Sequence, residues 1–220
     1  MQDFIVGLPR CNEPRDVLAE TFRAILASSR APRRVLIVDN GDEELSDFPG
    51  VGIGKLRVDV IQPERNLGCA GSWNLIQRLT EPTPAILLNA DLAVAPDTFE
   101  RILMSAAPVV LAYWFGCFRV EHAVWRSVGP FDEEFYPVYF EDTDYRRRLR
   151  LASVDVEEWP TTPEVSIYPG RQQAPTGIVH GKHDPDGYQG WRGSKLAWFH
   201  ERLAANRAYY LRKWGEEEVP

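Results

Sequence analysis

Two short runs of branched apolar residues, each followed at once by acidic residues, constrain the fold more than any other feature. Residues 35–38 are followed by Asp39, and residues 85–88 are followed by the cluster Asn-Ala-Asp at 89–91. Continuous apolar runs of this length are typical of strands that are buried on both faces of a parallel sheet. Each acidic group should therefore lie at the carboxyl end of a strand, the edge at which open α/β sheets bind ligands.

A third acidic cluster, Glu-Asp-Thr-Asp, occupies residues 141–144. Acidic groups gathered at one sheet edge need a compensating charge, and a divalent metal that carries a phosphate is the commonest one. The three clusters together predict a site for a cation and a phosphate-bearing ligand.

The composition is that of an ordinary globular protein. The 220 residues can bury a sizeable core, and 44% of them are apolar. A formal net charge of −7 argues against a broad surface that follows nucleic-acid phosphates. Cys11, Cys69 and Cys117 are odd in number and form no CxxC pair. We therefore expect a reducing compartment and neither a disulfide framework nor a zinc site.

No apolar run in the sequence approaches membrane-spanning length, and residues 1–9 lack the basic stretch and apolar core of a signal peptide. These features predict a soluble, cytoplasmic protein. Peripheral contact with a membrane through Trp191, Trp198 and Phe199 is an alternative with less support.

The order of predicted elements indicates right-handed βαβ units and a mostly parallel sheet. The first half should contain strands at 4–8, 34–38, 56–61, 85–88 and 109–118, and helices at 14–28, at 70–79 and from Pro96-Asp97 onwards. The second half should contain a turn at 129–132, helices at 142–151 and 194–214, and short strands at 154–159 and 165–168. The segment 171–193 has no periodicity and exceeds a normal connection, so we expect a lid or a binding loop there.

Six motifs, in this order, resemble those of family 2 glycosyltransferases of the inverting, bacterial rhamnosyltransferase-like type, which have the GT-A fold. They are PRCN at 9–12, VDNG at 38–41, NLGCAGSWN at 66–74, LNAD at 88–91, GPFDEEF at 129–135 and EDTDYR at 141–146. The resemblance covers nearly the whole chain. It implies an α/β GT-A fold, in which helices flank a mostly parallel, Rossmann-like central sheet beside a smaller acceptor-side region. We expect one domain over 1–220, with a nucleotide-sugar-binding half at 1–118 and an acceptor and catalytic half at 119–220.

The resemblance implies roles for residues in five of the six motifs and for His180. Asp39 would accept a hydrogen bond from a uracil or thymine ring N–H, and Asp91 would be the main ligand of Mn²⁺ or Mg²⁺. His180 would be a further metal ligand or a diphosphate contact. Asp142 would act as the general base that deprotonates the acceptor, with Glu141 as the second candidate. Further contacts to the nucleotide sugar are expected from Pro9, Arg10, Asn12, Asn66, Gly71, Asn74, Asn89 and Ala90.

Asp39, the two other acidic clusters and His180 also have plainer explanations. Asp39 can be a turn aspartate bonded to its own backbone, and 89–91 can be a capped turn between a strand and a helix. The cluster 141–144 can be a solvated helix N-terminus, and His180 can be an ordinary loop residue. Asn89 stands where the family has the first Asp of an Asp-x-Asp motif, which removes one negative charge from the expected metal site.

The expected activity is transfer of a hexosyl or deoxyhexosyl group from a UDP- or dTDP-type donor to an acceptor hydroxyl, by single displacement with a divalent metal. The acceptor can be a glycan, a lipid-linked sugar or another hydroxyl compound; nucleic acid is disfavoured, although a modified DNA base stays open. A non-catalytic nucleotide- or glycan-binding relative is an alternative that Asn89 favours. A sugar nucleotidyltransferase is less favoured, because residues 9–12 lack the glycines of a phosphate-binding loop.

Overall fold

A computed structural model describes residues 3–41, 56–160, 179–180 and 194–216. Its centre is a seven-stranded sheet. The elements in chain order are β1 (Ile5–Arg10), α1 (Arg15–Leu26), β2 (Arg34–Asp39), β3 (Arg57–Ile61), α2 (Gly68–Thr80), β4 (Ala85–Leu88), β5 (Leu92–Ala93), α3 (Thr98–Met104), β6 (Val109–Phe115), β7 (Cys117–Val120), α4 (His122–Val128), α5 (Glu141–Leu151), β8 (Val156–Glu158), β9 (Val179–His180) and α6 (Ser194–Trp214).

The strands of the central sheet lie in the order β3-β2-β1-β4-β7-β6-β8. β1 pairs in parallel with β2 and β4, β2 with β3, and β6 with β8. β7 runs antiparallel to both β4 and β6. The sheet is therefore mostly parallel, as the alternation of strands and helices predicts. A separate two-stranded sheet pairs β5 with β9.

Both faces of the central sheet are buried, which explains the continuous apolar runs in its strands. On one face, Val35 and Ile37 of β2 belong to the same cluster of buried residues as Phe22 of α1. On the other face, Leu36 belongs to the cluster that contains Trp73 of α2. Because successive side chains of a strand point to opposite faces, one apolar run contributes to both layers of the core.

The prediction of a single strand at 109–118 is wrong. The chain reverses at Gly116, so that β6 and β7 form an antiparallel hairpin whose register shifts between Leu111 and Tyr113. Next to this reversal, Trp114 adopts a left-handed φ of 45°. Both strands of the hairpin are buried, so the apolar residues continue through the turn. A continuous apolar run hides such a turn from a prediction based on pattern alone.

Most other predicted boundaries hold within a few residues. α1 ends at Leu26 and α2 begins at Gly68, two residues from the predicted limits in each case. α3 begins at Thr98, so Pro96 precedes the helix and does not occupy its first position. The sequence pattern does not predict α4, β5 or β9. The predicted strand at 165–168 lies outside the described residues, as does the loop 171–193 apart from residues 179–180.

Among the described residues, no helix has both the length and the apolar character that crossing a bilayer requires.

Candidate active site

The carboxyl ends of β1, β2 and β4 open onto two adjoining cavities. The first, which we call the central cavity, has a volume of about 260 Å³, and Asp91, Glu141 and Asp142 are part of its lining. The second, the side cavity, has a volume of about 610 Å³ and is lined by Asp39. Three residues line both cavities: Cys11, Asn40 and Asn66. The acidic clusters, which are far apart in the sequence, meet around one cleft, and the two that stand at strand ends do so as those positions predict.

Asp39 forms a buried ion pair at the end of β2. Its Oδ1 accepts hydrogen bonds from Nη1 of Arg10 at 2.7 Å and from the backbone N–H of Gly41 at 3.0 Å. The side chains of Asp39 and Arg10 are almost fully buried. The other carboxylate oxygen, Oδ2, is buried as well, and no described residue donates a hydrogen bond to it. Because buried polar atoms nearly always have a hydrogen-bond partner, Oδ2 is an acceptor that suits a ligand N–H.

Glu141 and Asp142 begin α5, but their surroundings differ. The Asp142 carboxylate accepts hydrogen bonds from Nε1 of Trp114 and from the backbone N–H of Thr143, each at 2.7 Å. Glu141 is only 2% exposed, and burial, followed by the nearby charge of Asp142, raises its pKa well above the usual range. A buried carboxyl group with a raised pKa tends to keep its proton, so Asp142 is the better candidate for a general base.

The backbone beside these two carboxyl groups is strained. The angle φ is 45° at Trp114 and 75° at both Tyr139 and Phe140. Non-glycine residues rarely adopt such angles, and they persist where the surrounding structure enforces them, often at functional sites. Here Nδ2 of Asn206 in α6 donates to the carbonyl oxygens of Val138 at 3.0 Å and Tyr139 at 3.3 Å. This loop leads directly into α5, so its enforced conformation determines where that helix begins.

The central cavity contains one acidic residue, Glu13, that the sequence prediction omits. Glu13 is 7% exposed, and its Oε2 accepts a hydrogen bond from the backbone N–H of Cys11 at 2.7 Å. Burial, followed by the charge of Asp91, raises the pKa of Glu13 to about 7. Glu13 lies just beyond the end of β1, and Asp39 is the last residue of β2, so the same strand-end signal could have identified Glu13.

The described lining of the central cavity is acidic. It includes four carboxyl groups, those of Glu13, Asp91, Glu141 and Asp142. Arg10 is the only Lys or Arg in this described lining, and it is paired with Asp39. Such an excess of carboxyl groups favours the binding of a cation. Within the described parts of the chain, no three His, Cys, Asp or Glu side chains form a metal site by themselves.

Most of the other predicted contacts also border the cleft. The central cavity is lined by Pro9, Arg10, Asn89 and Ala90, and the side cavity by Asn12. Asn66 lines both. The side chain of Arg10 is engaged by Asp39, so its first role is to hold that carboxylate. His180 lies in β9, where its backbone pairs with Leu92, the residue after Asp91.

Asn74 and Gly71, which are also predicted as nucleotide-sugar contacts, line neither of the two cavities. Asn74 is fully buried, and its Nδ2 donates hydrogen bonds to Glu133 and to the carbonyl oxygen of Phe131. Its Oδ1 accepts the backbone N–H of Phe131 at 2.9 Å. Gly71 lies close to the side chains of Leu67 and Glu133. Asn74 therefore holds the connection between α4 and α5 against α2, and Gly71 leaves room for the Glu133 side chain of that connection.

Three solved structures resemble this fold at low sequence identity. GalNAc-T7 with UDP, GalNAc and Mn²⁺ has a TM-score of 0.71 at 12% identity, over 99% of this chain and 49% of that chain. The mannosyltransferase PcManGT from Pyrobaculum calidifontis, in complex with GDP-Man and Mn²⁺, has a TM-score of 0.62 at 15% identity, over 99% and 65%. S. aureus TarS 1-349 in complex with UDP-GlcNAc has a TM-score of 0.63 at 13% identity, over 96% and 67%. This chain thus spans about half to two thirds of the length of these proteins.

A comparison with curated protein sequences found no significant match. The model of the family described as Glycosyl transferase family 2 matches residues 5–153, from the start of β1 to just beyond α5. The matched part includes every acidic residue in the described lining of the two cavities. The structural neighbours have the same mixed α/β architecture. By sequence and by fold, this chain belongs to glycosyl transferase family 2 and has a GT-A fold.

Proposed function

We propose that this protein is an inverting glycosyltransferase that moves a hexosyl or deoxyhexosyl group from a UDP- or dTDP-type donor to an acceptor hydroxyl. The observation that carries the proposal is the buried Oδ2 of Asp39, which has no described partner, in a cavity that adjoins the one containing Asp91 and Asp142. Nucleobase, diphosphate and acceptor would then follow one another along the cleft.

The chemistry of Asp39 favours certain bases. A carboxylate accepts hydrogen bonds and donates none, so it suits a base with a ring N–H. Uracil, thymine and guanine carry a ring N–H, whereas adenine and cytosine carry none on the pairing edge. The neighbouring structures contain UDP, UDP-GlcNAc and GDP-Man, whose bases all have this group. Among thymidine donors, dTDP-rhamnose is the one that the resemblance to rhamnosyltransferases suggests.

Asp91 and Asn89 would hold a divalent cation, Mn²⁺ or Mg²⁺, in the central cavity. Their donor atoms are a carboxylate and an amide oxygen, which suit hard cations, and the excess of carboxyl groups in the described lining favours positive charge there. His180, whose backbone pairs with Leu92, is the third residue that we assign to this group. When bound, such a cation offsets the negative charge that develops on the leaving diphosphate.

Asp142 would take the proton of the acceptor hydroxyl as the acceptor oxygen attacks the anomeric carbon. The new carbon–oxygen bond forms while the bond to the diphosphate breaks, and the anomeric configuration inverts. Hydrogen bonds from Trp114 and Thr143 hold the Asp142 carboxylate in place for this step. General base catalysis of this kind typically contributes a factor of about 10²–10⁴ in rate.

A thermal-shift screen tests the proposal. The protein is heated with UDP, dTDP, GDP or ADP, with and without Mn²⁺, because a ligand that binds only the native state raises the Tm. We expect uridine or thymidine diphosphate to stabilise the protein in a metal-dependent way, and Asp91→Ala to abolish that dependence. Asp97→Ala is the matched control, since the Asp97 side chain is 57% exposed on the surface. An equal response to uridine and adenosine nucleotides, or no response to either, would count against the assignment.

A non-catalytic nucleotide-binding relative is the second candidate, because Asn89 removes one carboxylate from the expected metal pair. Slow hydrolysis of the donor in the absence of acceptor separates the two candidates. An enzyme releases free sugar in a metal-dependent way, whereas a binding protein leaves the donor intact.

We also propose that one domain comprises a donor half at 1–118 and an acceptor half at 119–220. This division follows the positions of Asp39 and Asp91 in the first half and of Asp142 in the second. A cytoplasmic setting is part of the proposal, since Cys11, Cys69 and Cys117 form no disulfide bonds. The acceptor that we expect is a glycan, a lipid-linked sugar or another hydroxyl compound.

A further inference from the structure

Helix α6 lies outside the part of the chain that the family model matches, yet it borders the cleft. The match ends at residue 153, and α6 spans Ser194–Trp214. Trp198, near the start of α6, lines the side cavity together with Asp39. It is the only aromatic residue in the described lining of that cavity, which otherwise consists of polar residues, Cys11, Gly41 and Pro63.

We propose that Trp198 stacks on the nucleobase of the donor, so that α6 completes the nucleotide site from outside the family region. This inference rests on the proposed function. Oδ2 of Asp39 can bind the edge of a base, but it cannot cover the aromatic faces. An indole ring supplies such a surface, and stacking between a base and an aromatic side chain typically contributes about 1–3 kcal/mol.

Neighbouring side chains support the indole of Trp198. Its ring centroid lies 6.1 Å from that of Tyr136, in an edge-to-face arrangement. The guanidinium carbon of Arg202, one helical turn further along α6, lies 5.8 Å from the Trp198 ring centroid. Trp198 is half-buried and lines the side cavity, so part of its surface is open to a ligand there.

Polar contacts at the other end of α6 fix the position of the helix. Nζ of Lys213 lies 2.7 Å from Asp132 and 2.8 Å from Asp144, and the Asp144 side chain is fully buried. Nε1 of Trp214 donates a hydrogen bond to Asp144 at 2.8 Å. These contacts attach α6 to α5 and to the connection before it. Because α6 is one continuous helix, the contacts of Lys213 and Trp214 also help to position Trp198 at the side cavity.

Stacking and edge recognition have different ligand requirements, which makes the inference testable. An aromatic surface binds any ligand that carries a base and is indifferent to a ligand that has none. Inorganic pyrophosphate carries the charge of the diphosphate without a base. Loss of Trp198 should therefore weaken UDP binding and leave pyrophosphate binding unchanged.

Isothermal titration with UDP and with pyrophosphate, both in the presence of Mn²⁺, tests this inference in the full chain. For Trp198→Ala we expect the Kd of UDP to rise about 5- to 150-fold, the equivalent of losing one stacking contact of about 1–3 kcal/mol. Trp198→Phe retains an aromatic face and should restore most of the affinity. Trp198→Leu retains apolar bulk without a π-face and should behave like the Ala variant. The Kd of pyrophosphate should be the same for all four proteins.

Glu201→Ala, at an exposed position of the same helix, is the matched control and should bind UDP as the wild type does. Unchanged UDP binding by Trp198→Ala would overturn the inference and leave the proposed function standing. Parallel weakening of UDP and pyrophosphate would also overturn it, because the substitution would then act on the whole cleft. Wild-type protein that binds no nucleotide would overturn the proposed function itself.

Discussion

Glu141 and Asp142 are neighbours in the chain, yet they occupy different environments. Glu141 is buried, its Oε2 has no described hydrogen-bond partner, and burial raises its pKa. Asp142 faces the central cavity and is held by Trp114 and Thr143. Environments this different assign different roles to two carboxyl groups. We therefore place proton transfer on Asp142 and treat Glu141 as its buried neighbour.

Asp142→Asn tests the general base. The substitution keeps the shape of the side chain and removes its ability to accept a full proton, so kcat should fall by about 10²–10⁴-fold. UDP binding should be unchanged, because we assign the nucleobase to Asp39 in the side cavity and the diphosphate to the cation held by Asp91 and Asn89, whereas Asp142 acts on the acceptor. The measurement is sugar release from the donor with water as acceptor, beside a titration with UDP. Asp155→Asn, at an exposed position after α5, is the control. Full activity of Asp142→Asn would assign the base to another residue.

Glu13 should make stability depend on pH in the metal-free protein. Its pKa is raised from the ordinary 4.5 to about 7, so the folded state retains a proton that the unfolded state loses. The resulting stabilisation is full below pH 4.5 and is lost as pH rises through 7. Over that window, the free energy of unfolding should fall by about 3 kcal/mol relative to Glu13→Gln. Urea unfolding in EDTA measures both proteins; parallel pH curves would show that Glu13 has no such effect.

At the scale of elements, α2 and α6 hold the connection before α5 from two sides. Gly68, at the start of α2, has a φ of 68°, and a Cβ there would lie 2.6 Å from the carbonyl oxygen of Pro137. The next residue, Cys69, donates its backbone N–H to the same oxygen at 2.7 Å. Asn206 of α6 binds the carbonyl oxygen of Val138, the following residue. Only glycine fits at Gly68, because both the angle and the close approach exclude a side chain.

Asn206→Asp tests the contribution of α6 to this connection. The variant is of equal size but replaces two N–H donors with a carboxylate that faces the carbonyl oxygens of Val138 and Tyr139. We expect a loss of about 1–3 kcal/mol in the free energy of unfolding, because two partly buried acceptors lose their donor. We also expect a lower kcat with an unchanged Kd for UDP, since the loop leads to Asp142 and the side cavity is untouched. Steady-state turnover measures kcat, and isothermal titration with UDP measures Kd.

Glu201→Gln, exposed on the same helix, is the matched control for Asn206→Asp. A residue that serves stability alone would lower the unfolding free energy and leave kcat of the folded protein at the wild-type value. That result would remove Asn206 from the residues that position the base.

At the scale of the whole molecule, strand order decides where the cleft lies. β1 has β2 on one side and β4 on the other, so the chain reverses its direction of travel across the sheet at β1. Open α/β sheets bind ligands in the crevice that such a reversal creates at the carboxyl edge. Glu13 follows β1 and Asp91 follows β4, which brings both residues to this crevice. The β6–β7 hairpin then adds Trp114 beside Asp142.

The parallel half of the fold and the acidic residues of its edge were predictable from the sequence. Apolar runs reveal strands that are buried on both faces, and parallel strands present their carboxyl ends at one edge. Asp39 and Asp91 could therefore be placed near each other without coordinates. The β6–β7 hairpin was not predictable in this way. Its two strands are both apolar, and Gly116 alone separates them, so the sequence shows one continuous run.

Local pattern determined which segments are buried and which carboxyl groups stand at strand ends. Only the tertiary structure decided what each side chain contacts. Asn74 donates a hydrogen bond to Glu133, 59 positions away, a contact that no local pattern reveals. Trp198 lines the side cavity from α6, a helix whose other end is bonded to α5 through Trp214 and Asp144. The physical reason is that periodicity records whether a segment meets the core, whereas a long-range contact depends on how the whole chain packs.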